Sequence, residues 1–100
     1  MRRLGDLNAT KAGQTILVRA RIQVSRETGK LLFVTFRQAI ATVQGIAMKA
    51  ANADLFKWLG SLPRETVVDV TGTLAAVEKR VESVTQGDVE LQASVTYSIP

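Results

Sequence analysis

From Ile16 to Val24 every second residue is apolar: Ile16, Val18, Ala20, Ile22 and Val24 form one set, and Leu17, Arg19, Arg21 and Gln23 fill the gaps. Successive side chains of a strand point to opposite faces of its sheet, so this period of two predicts a half-buried strand with a basic outer side. The next run repeats the pattern with Leu32, Val34 and Phe36 inward, which leaves Phe33 in phase with Thr35 and Arg37 on the side that meets water. A third run, from Ile40 to Met48, follows almost at once. Taking Gln38 and Ala39 as a two-residue turn pairs Arg37 with Ile40, Thr35 with Thr42, and Phe33 with Gln44.

Beyond this meander the chain carries one helix signal and two further strands. In NADLFKWLG, Asn52 is placed to cap a helix, Leu55, Trp58 and Leu59 lie on one stripe, and Gly60 stands where a C-terminal glycine belongs. Phe56 and Trp58 read as core plugs. Strands are expected near 14–24, 31–37, 40–48, 65–77 and 89–99. In the fourth, Gly72 interrupts the pattern and predicts a bulge or sharp bend. In the last, Val89, Leu91, Ala93, Val95, Tyr97 and Ile99 form the inward set, opposite Glu90, Gln92, Ser94, Thr96 and Ser98. Three strands, a helix and two strands is the element order of an OB-fold, a mainly β, five-stranded Greek-key barrel whose second and third strands bind oligonucleotides. One domain over residues 1–100 is expected.

Composition removes most chemistries. The chain has no cysteine and no histidine, so disulfides, thiol catalysis, imidazole acid-base work and Cys or His metal sites are excluded. No catalytic residues, metal ligands or membrane span are expected, since no apolar run approaches the roughly 20 residues that a span requires. The excess of 13 basic over 9 acidic residues gives a net charge of +4, which suits a nucleic acid or another acidic surface.

An exposed aromatic beside an amide on a basic sheet is a base-reading arrangement: the ring of Phe33 stacks on a base while Gln44 addresses its edge. The competing reading is that Phe33 covers a hydrophobic edge, since isolated exposed apolar residues are common. Arg19, Arg21, Arg26, Lys30 and Arg37 make up the basic side of the first hairpin, as a track for phosphates or as a merely soluble surface. Arg19 set beside Arg37 would oppose like charges across the sheet.

Over almost its whole length the chain resembles the anticodon-binding domain of the class IIb aminoacyl-tRNA synthetases, and within them the eukaryotic-type cytosolic aspartyl-tRNA synthetases. The resemblance runs through LGDLNATKAGQ at residue 4, VRARIQVSR at 18, FVTFRQAIATVQG at 33, KWLGSLPRETVVDVTG at 57, TQGDVEL at 85 and the terminal TYSIP. It implies that Phe33 stacks on the central uridine of an anticodon and that Gln44 hydrogen-bonds the same base. It further implies that Arg26 contacts the anticodon loop and that Ser83 and Glu90 lie beside the other anticodon bases. The implied partner is tRNA-Asp, engaged through its anticodon stem-loop in the cytoplasm. The domain itself then needs no cofactor, while ATP and magnesium serve the catalytic domain of the complete, homodimeric aspartate–tRNA ligase. Nothing following Pro100 could supply that catalytic domain, so the expectation is a monomeric, non-catalytic domain separated from a larger enzyme. Asparaginyl and lysyl enzymes, whose tRNAs share the central uridine, are the alternatives within the family. Outside it stand a sequence-tolerant single-strand-binding OB protein, which would need several groove aromatics, and a protein-interaction module.

Overall fold

The alternating runs pair into a closed barrel. In the computed structural model, which describes residues 1–98, β1 (Thr15–Thr28), β2 (Leu31–Gln38), β3 (Ala41–Met48), β4 (Val67–Ala76) and β5 (Val89–Ser98) are joined in the order β1-β2-β3-β5-β4. Pairing of β4 with β1 closes the ring, and every pair is antiparallel except β3 with β5. This five-stranded barrel, with α1 (Ala53–Ser61) between β3 and β4, is an OB-fold.

Its interior is filled from the inward phase of each strand, by Val18, Ile22, Val34, Phe36, Val43, Val70, Leu74, Val89 and Leu91 among others. Phe36 lies against Gly45 so closely that a Cβ at residue 45 would run into its ring. Helix α1 closes over β1, β2, β3 and β5 with Leu55, Phe56 and Leu59, while Trp58 is partly buried beside them. Asn52 caps the helix, its side-chain oxygen accepting from the Leu55 amide at 3.0 Å. Gly60, expected just past the end, is inside the helix. The stop comes from Leu62, held in an extended conformation (ψ 135°) ahead of Pro63. Before β1 come two single turns of 3-10 helix, Leu4–Asp6 and Ala9–Lys11; Leu4 of the first and Leu7, which caps its C-terminal end, are buried in the core.

Three expectations are corrected. The β2–β3 turn is Ala39-Ile40, so the pairs are Arg37 with Thr42, Thr35 with Gln44 and Phe33 with Ile46. Gln38 stays in the strand because its amide is engaged on both sides, accepting from the Leu4 amide at 3.1 Å and donating to the Arg19 carbonyl at 2.8 Å. The slip is two residues, so every side chain keeps its face. The turn carries Ala39 at φ 54° and leaves Ile40 91% exposed.

The second correction lies in β1, which runs on to Thr28 and contains a bulge: Ile22 pairs with Phe36 and Val24 with Thr35, so Gln23 is an extra residue. The phase therefore reverses, and Val24, expected inward, is 37% exposed. The same reversal brings Arg26 outward opposite Phe33, and it is Arg21 that pairs with Arg37. The third lies in β5, where the register shift opposite Thr71 and Gly72 makes Ser94 the extra residue. Val95 and Tyr97 consequently face outward, Tyr97 at 66% exposure, and Thr96 is buried in their place. Ile99 lies outside the described residues. The bend expected at Gly72 is present, and a Cβ there would run into the carbonyl oxygen of Gln92.

Candidate nucleic-acid interface

Barrel closure assembles two rows of side chains on the outer face of β1, β2, β3 and β5. One row is Arg26, Phe33, Ile46 and Gln92; the next is Val24, Thr35, Gln44 and Glu90. Neighbouring strands lie about 4.8 Å apart and rows on one face about 7 Å apart. Phe33 thus stands at the centre of a surface flanked by a guanidinium on one side and two amides and a carboxylate on the other. Gln44 is its diagonal neighbour, within reach of a long side chain.

The guanidinium carbon of Arg26 lies 5.4 Å from the Phe33 ring centroid, a cation–π contact worth about 0.5–1 kcal/mol at an exposed site. The contact orients the ring and leaves the guanidinium N–H groups available to a ligand. Among the described residues, the side chains of Gln44, Glu90 and Gln92 have no hydrogen-bond partner. The glutamines elsewhere in the barrel's connections differ: Gln38 is engaged as described, Gln86 donates to the Gly5 carbonyl at 3.2 Å and to the Leu7 carbonyl, and Gln14 accepts from Arg2 at 3.1 Å. Gln23, the extra residue of the β1 bulge, is like Gln44 and Gln92 unengaged among the described residues.

The remaining basic residues divide into two groups. Lys30 sits in the exposed Gly29-Lys30 turn, at the end of the hairpin that carries Arg26 and Phe33. Arg19, Arg21 and Arg37 lie toward the other end of the same face and are ion-paired. Arg19 makes a bidentate pair with Asp69 at 2.8 and 3.1 Å. This pair holds the Asp69 carboxyl below its ordinary pKa, chiefly through the hydrogen bond. Arg21 and Arg37 share one oxygen of Glu65, at 3.4 and 3.3 Å. That carboxylate relieves the opposition of two cross-strand arginines, and it is delivered by a residue held at φ 70°. The three arginines line an open depression of about 610 Å³ together with Gln38, Ala39 and Val67.

Ser83 is exposed in the loop between β4 and β5. This loop is tied to the start of β3: the Thr42 and Thr85 amides each donate to the other residue's hydroxyl at 2.8 Å, and the Gln86 amide donates to the Thr42 carbonyl at 2.9 Å. An Arg80–Asp88 ion pair at 2.6 Å closes the loop on itself. Ser83 therefore belongs to a fixed loop at the Thr42 end of β3, whereas Lys30 stands at the Met48 end, with Phe33 and Gln44 between. Two residues of the face, Ile46 and Gln92, were not singled out from the sequence. Ile46 sits on it by alternation from Gln44 and by its pairing with Phe33, and Gln92 is brought beside Ile46 by the parallel pairing of β3 with β5, which no local pattern reports.

An OB barrel with an aromatic, cationic and amide-bearing face over its second and third strands has the architecture of the oligonucleotide- and oligosaccharide-binding fold class. No profile of a known protein family matches the chain. Individual proteins do: it is 36% identical over 99 residues to a cytoplasmic aspartate–tRNA ligase of Bos taurus, covering 97% of this chain and 20% of the relative. A corresponding enzyme of Caenorhabditis elegans is 35% identical over 97 residues. Among solved structures, an aspartyl-tRNA synthetase from Entamoeba histolytica superposes with a TM-score of 0.92 at 29% identity, over 97% of this chain and 20% of that one. Over nearly its whole length the chain is homologous to one stretch of the cytoplasmic aspartate–tRNA ligases. It spans about a fifth of the length of the relatives it matches.

Proposed function

We propose that this domain binds the anticodon loop of a tRNA, tRNA-Asp within this family, as the RNA-recognising part of an aspartate–tRNA ligase. The observation that carries the reading is the outer face on which Arg26 flanks Phe33 while Gln44 and Glu90 stand beside it with unspent hydrogen-bonding groups. The ring of Phe33 stacks on the central uridine. The Gln44 amide has both a donor and an acceptor, which match the carbonyl and N3–H of that base. Arg26 covers the stack from the β1 side, and Ser83 and Glu90 approach the neighbouring bases. Lys30 and, farther along the face, Arg19, Arg21 and Arg37 meet phosphates, which position the loop without reading it. Aminoacylation itself belongs to the longer enzyme, a cytoplasmic homodimer that uses ATP and magnesium at its catalytic domain. The 100-residue chain binds as a monomer and performs no catalysis.

The test is binding of the domain at fixed salt to stem-loops with GUC, GUU and a central U→A change, since phosphate-driven affinity varies steeply with ionic strength. Loss of the central uridine is expected to abolish the preference, and Phe33→Ala to cost about 1–3 kcal/mol. Full RNA affinity in the Phe33→Ala variant, with its fold intact by circular dichroism, would refute the reading. A sequence-tolerant single-strand binder would treat all three loops alike.

A further inference from the structure

We infer that the thioether of Met48 is a modification site for hydroperoxides, and that its conversion to the sulfoxide weakens RNA binding at the Phe33 face. The inference rests on the RNA-binding reading of that face and adds a chemical regulation of it.

Alternation along β3 carries the outer phase from Gln44 and Ile46 on to Met48, and the ladders set Met48 opposite Leu31 and Leu31 opposite Thr28. This row lies about 7 Å from the one that holds Phe33 and Ile46. Leu31, Phe33, Ile46 and Met48 therefore form an apolar square, two residues on each of β2 and β3. The first three are half-buried, whereas Met48 is 43% exposed. The parallel β3–β5 ladder ends at Ile46, so Met48 has no strand beside it on that side. Cations border the square. Arg26 stands over Phe33, and the hairpin turn brings Lys30 next to Lys49, whose amide donates to the Lys30 carbonyl at 2.9 Å. A polyanion drawn to these cations with a base on Phe33 lies across Met48.

The chain has no cysteine, so its two thioethers, Met1 and Met48, are the side chains that a hydroperoxide oxidises most readily. Met1 is elsewhere, lining the depression with Arg19 and Arg21. At Met48 the sulfur attacks the distal oxygen of the hydroperoxide, so that an S–O bond forms as the O–O bond breaks. The sulfur loses two electrons, and the proton of the distal oxygen passes to the leaving oxygen, which departs as an alcohol, or as water from hydrogen peroxide. A flexible apolar side chain thereby becomes a polar sulfoxide. Leu31, Phe33 and Ile46 have no side-chain donor for the new oxygen. A ligand that covers it removes its water without replacement, which opposes binding. Because Met48 lies outside the buried core, the oxygen can be added and removed with the barrel folded.

The experiment treats the 100-residue domain with hydrogen peroxide, locates the added oxygen by peptide mass spectrometry, and measures binding of the GUC stem-loop by fluorescence anisotropy at fixed salt. Oxidation of Met48 is expected to weaken binding by the wild-type chain about 5-fold or more, the loss from covering an uncompensated polar group. The two methionine sulfoxide reductases, one for each epimer, should together restore it. Met48→Leu, compared with its own untreated sample, should lose no affinity on treatment although Met1 still takes up oxygen. Saturating stem-loop should slow the oxidation of Met48 several-fold. Met48→Gln, polar and unbranched, repeats the binding measurement without oxidant if circular dichroism shows that the oxidised chain unfolds, and it too should bind more weakly. Full affinity in a chain carrying the Met48 sulfoxide or in Met48→Gln, an equal loss in treated Met48→Leu, or a Met48 that RNA does not protect overturns the inference. The Phe33 reading then stands as long as Phe33→Ala weakens binding of the same loop. A Phe33→Ala variant that binds as tightly as wild type strikes the underlying reading instead.

Discussion

Replacing Glu65 by glutamine isolates what the paired arginines do. In the free protein one Glu65 oxygen serves both Arg21 and Arg37, which are cross-strand partners, and both arginine side chains retain access to solvent. If phosphates of a bound RNA reach these arginines, they compete with that carboxylate. Glu65→Gln removes the competitor and leaves two unneutralised guanidiniums facing the depression of about 610 Å³. Exposed ion pairs are worth about 0.2–1 kcal/mol, so affinity at low salt should rise about 1.4- to 5-fold. Each additional phosphate contact to single-stranded RNA should steepen the dependence of log affinity on log salt by about 0.7. The assay is a titration of the stem-loop from low to moderate potassium chloride, with the GUC and U→A loops in parallel. Because phosphates carry no sequence information, both loops should gain alike and their ratio should stay constant. Unchanged affinity and slope would mean that the arginine pair lies off the path of the RNA, and the phosphate role assigned to Arg21 and Arg37 would fall.

Two further predictions concern the scaffold. Ala39 holds φ 54° in the β2–β3 turn, a conformation costing a residue with a Cβ about 1–2 kcal/mol, against about 0.5–1 kcal/mol of extra chain entropy for glycine. Ala39→Gly should therefore raise the urea midpoint with an unchanged m-value, followed by the fluorescence of Trp58, and an unchanged or lower midpoint would contradict the reasoning. The folded-state pKa of Asp69 is depressed by its hydrogen bond from Arg19, so its contribution to stability is present above the unfolded value, near 3.9, and is lost as pH falls through the folded value. Urea midpoints of wild type and Asp69→Asn should differ at neutral pH and converge below about pH 4, and a gap independent of pH would exclude this origin.

Much of the barrel could be read from alternation, because its inward residues are apolar with few interruptions over β1 to β4. What escaped the pattern has specific physical causes. Gln23 and Ser94 are ordinary polar residues in strand-like contexts, and nothing about them announces an extra residue in the ladder. The consequence is large, since each bulge exchanges the faces of everything that follows, sending Val24, Arg26, Val95 and Tyr97 outward. The Ala39-Ile40 turn lacks turn-forming residues, so its position is decided by the engagement of Gln38 with Leu4 and Arg19. Phe33 and Gln44 survived the resulting slip as same-face residues because it was an even number. The acids that neutralise the arginines, Asp69 and Glu65, come from distant parts of the chain. Charge composition alone could not show that three of the five hairpin cations are paired.

Strand β1 is in effect two strands laid end to end. Thr15 to Arg21 pair with β4 as part of the barrel wall, and Arg21 to Thr28 pair with β2 as one arm of a hairpin, with the extra Gln23 close to the junction. A corner of this kind separates mechanical duties. The wall segment can keep its seating in the core while the arm is re-aimed by a change in the local twist at Gln23. In an engineered or diverging version of this domain, the residue count at that corner would steer the attitude of Arg26 toward its target without any change among the core side chains.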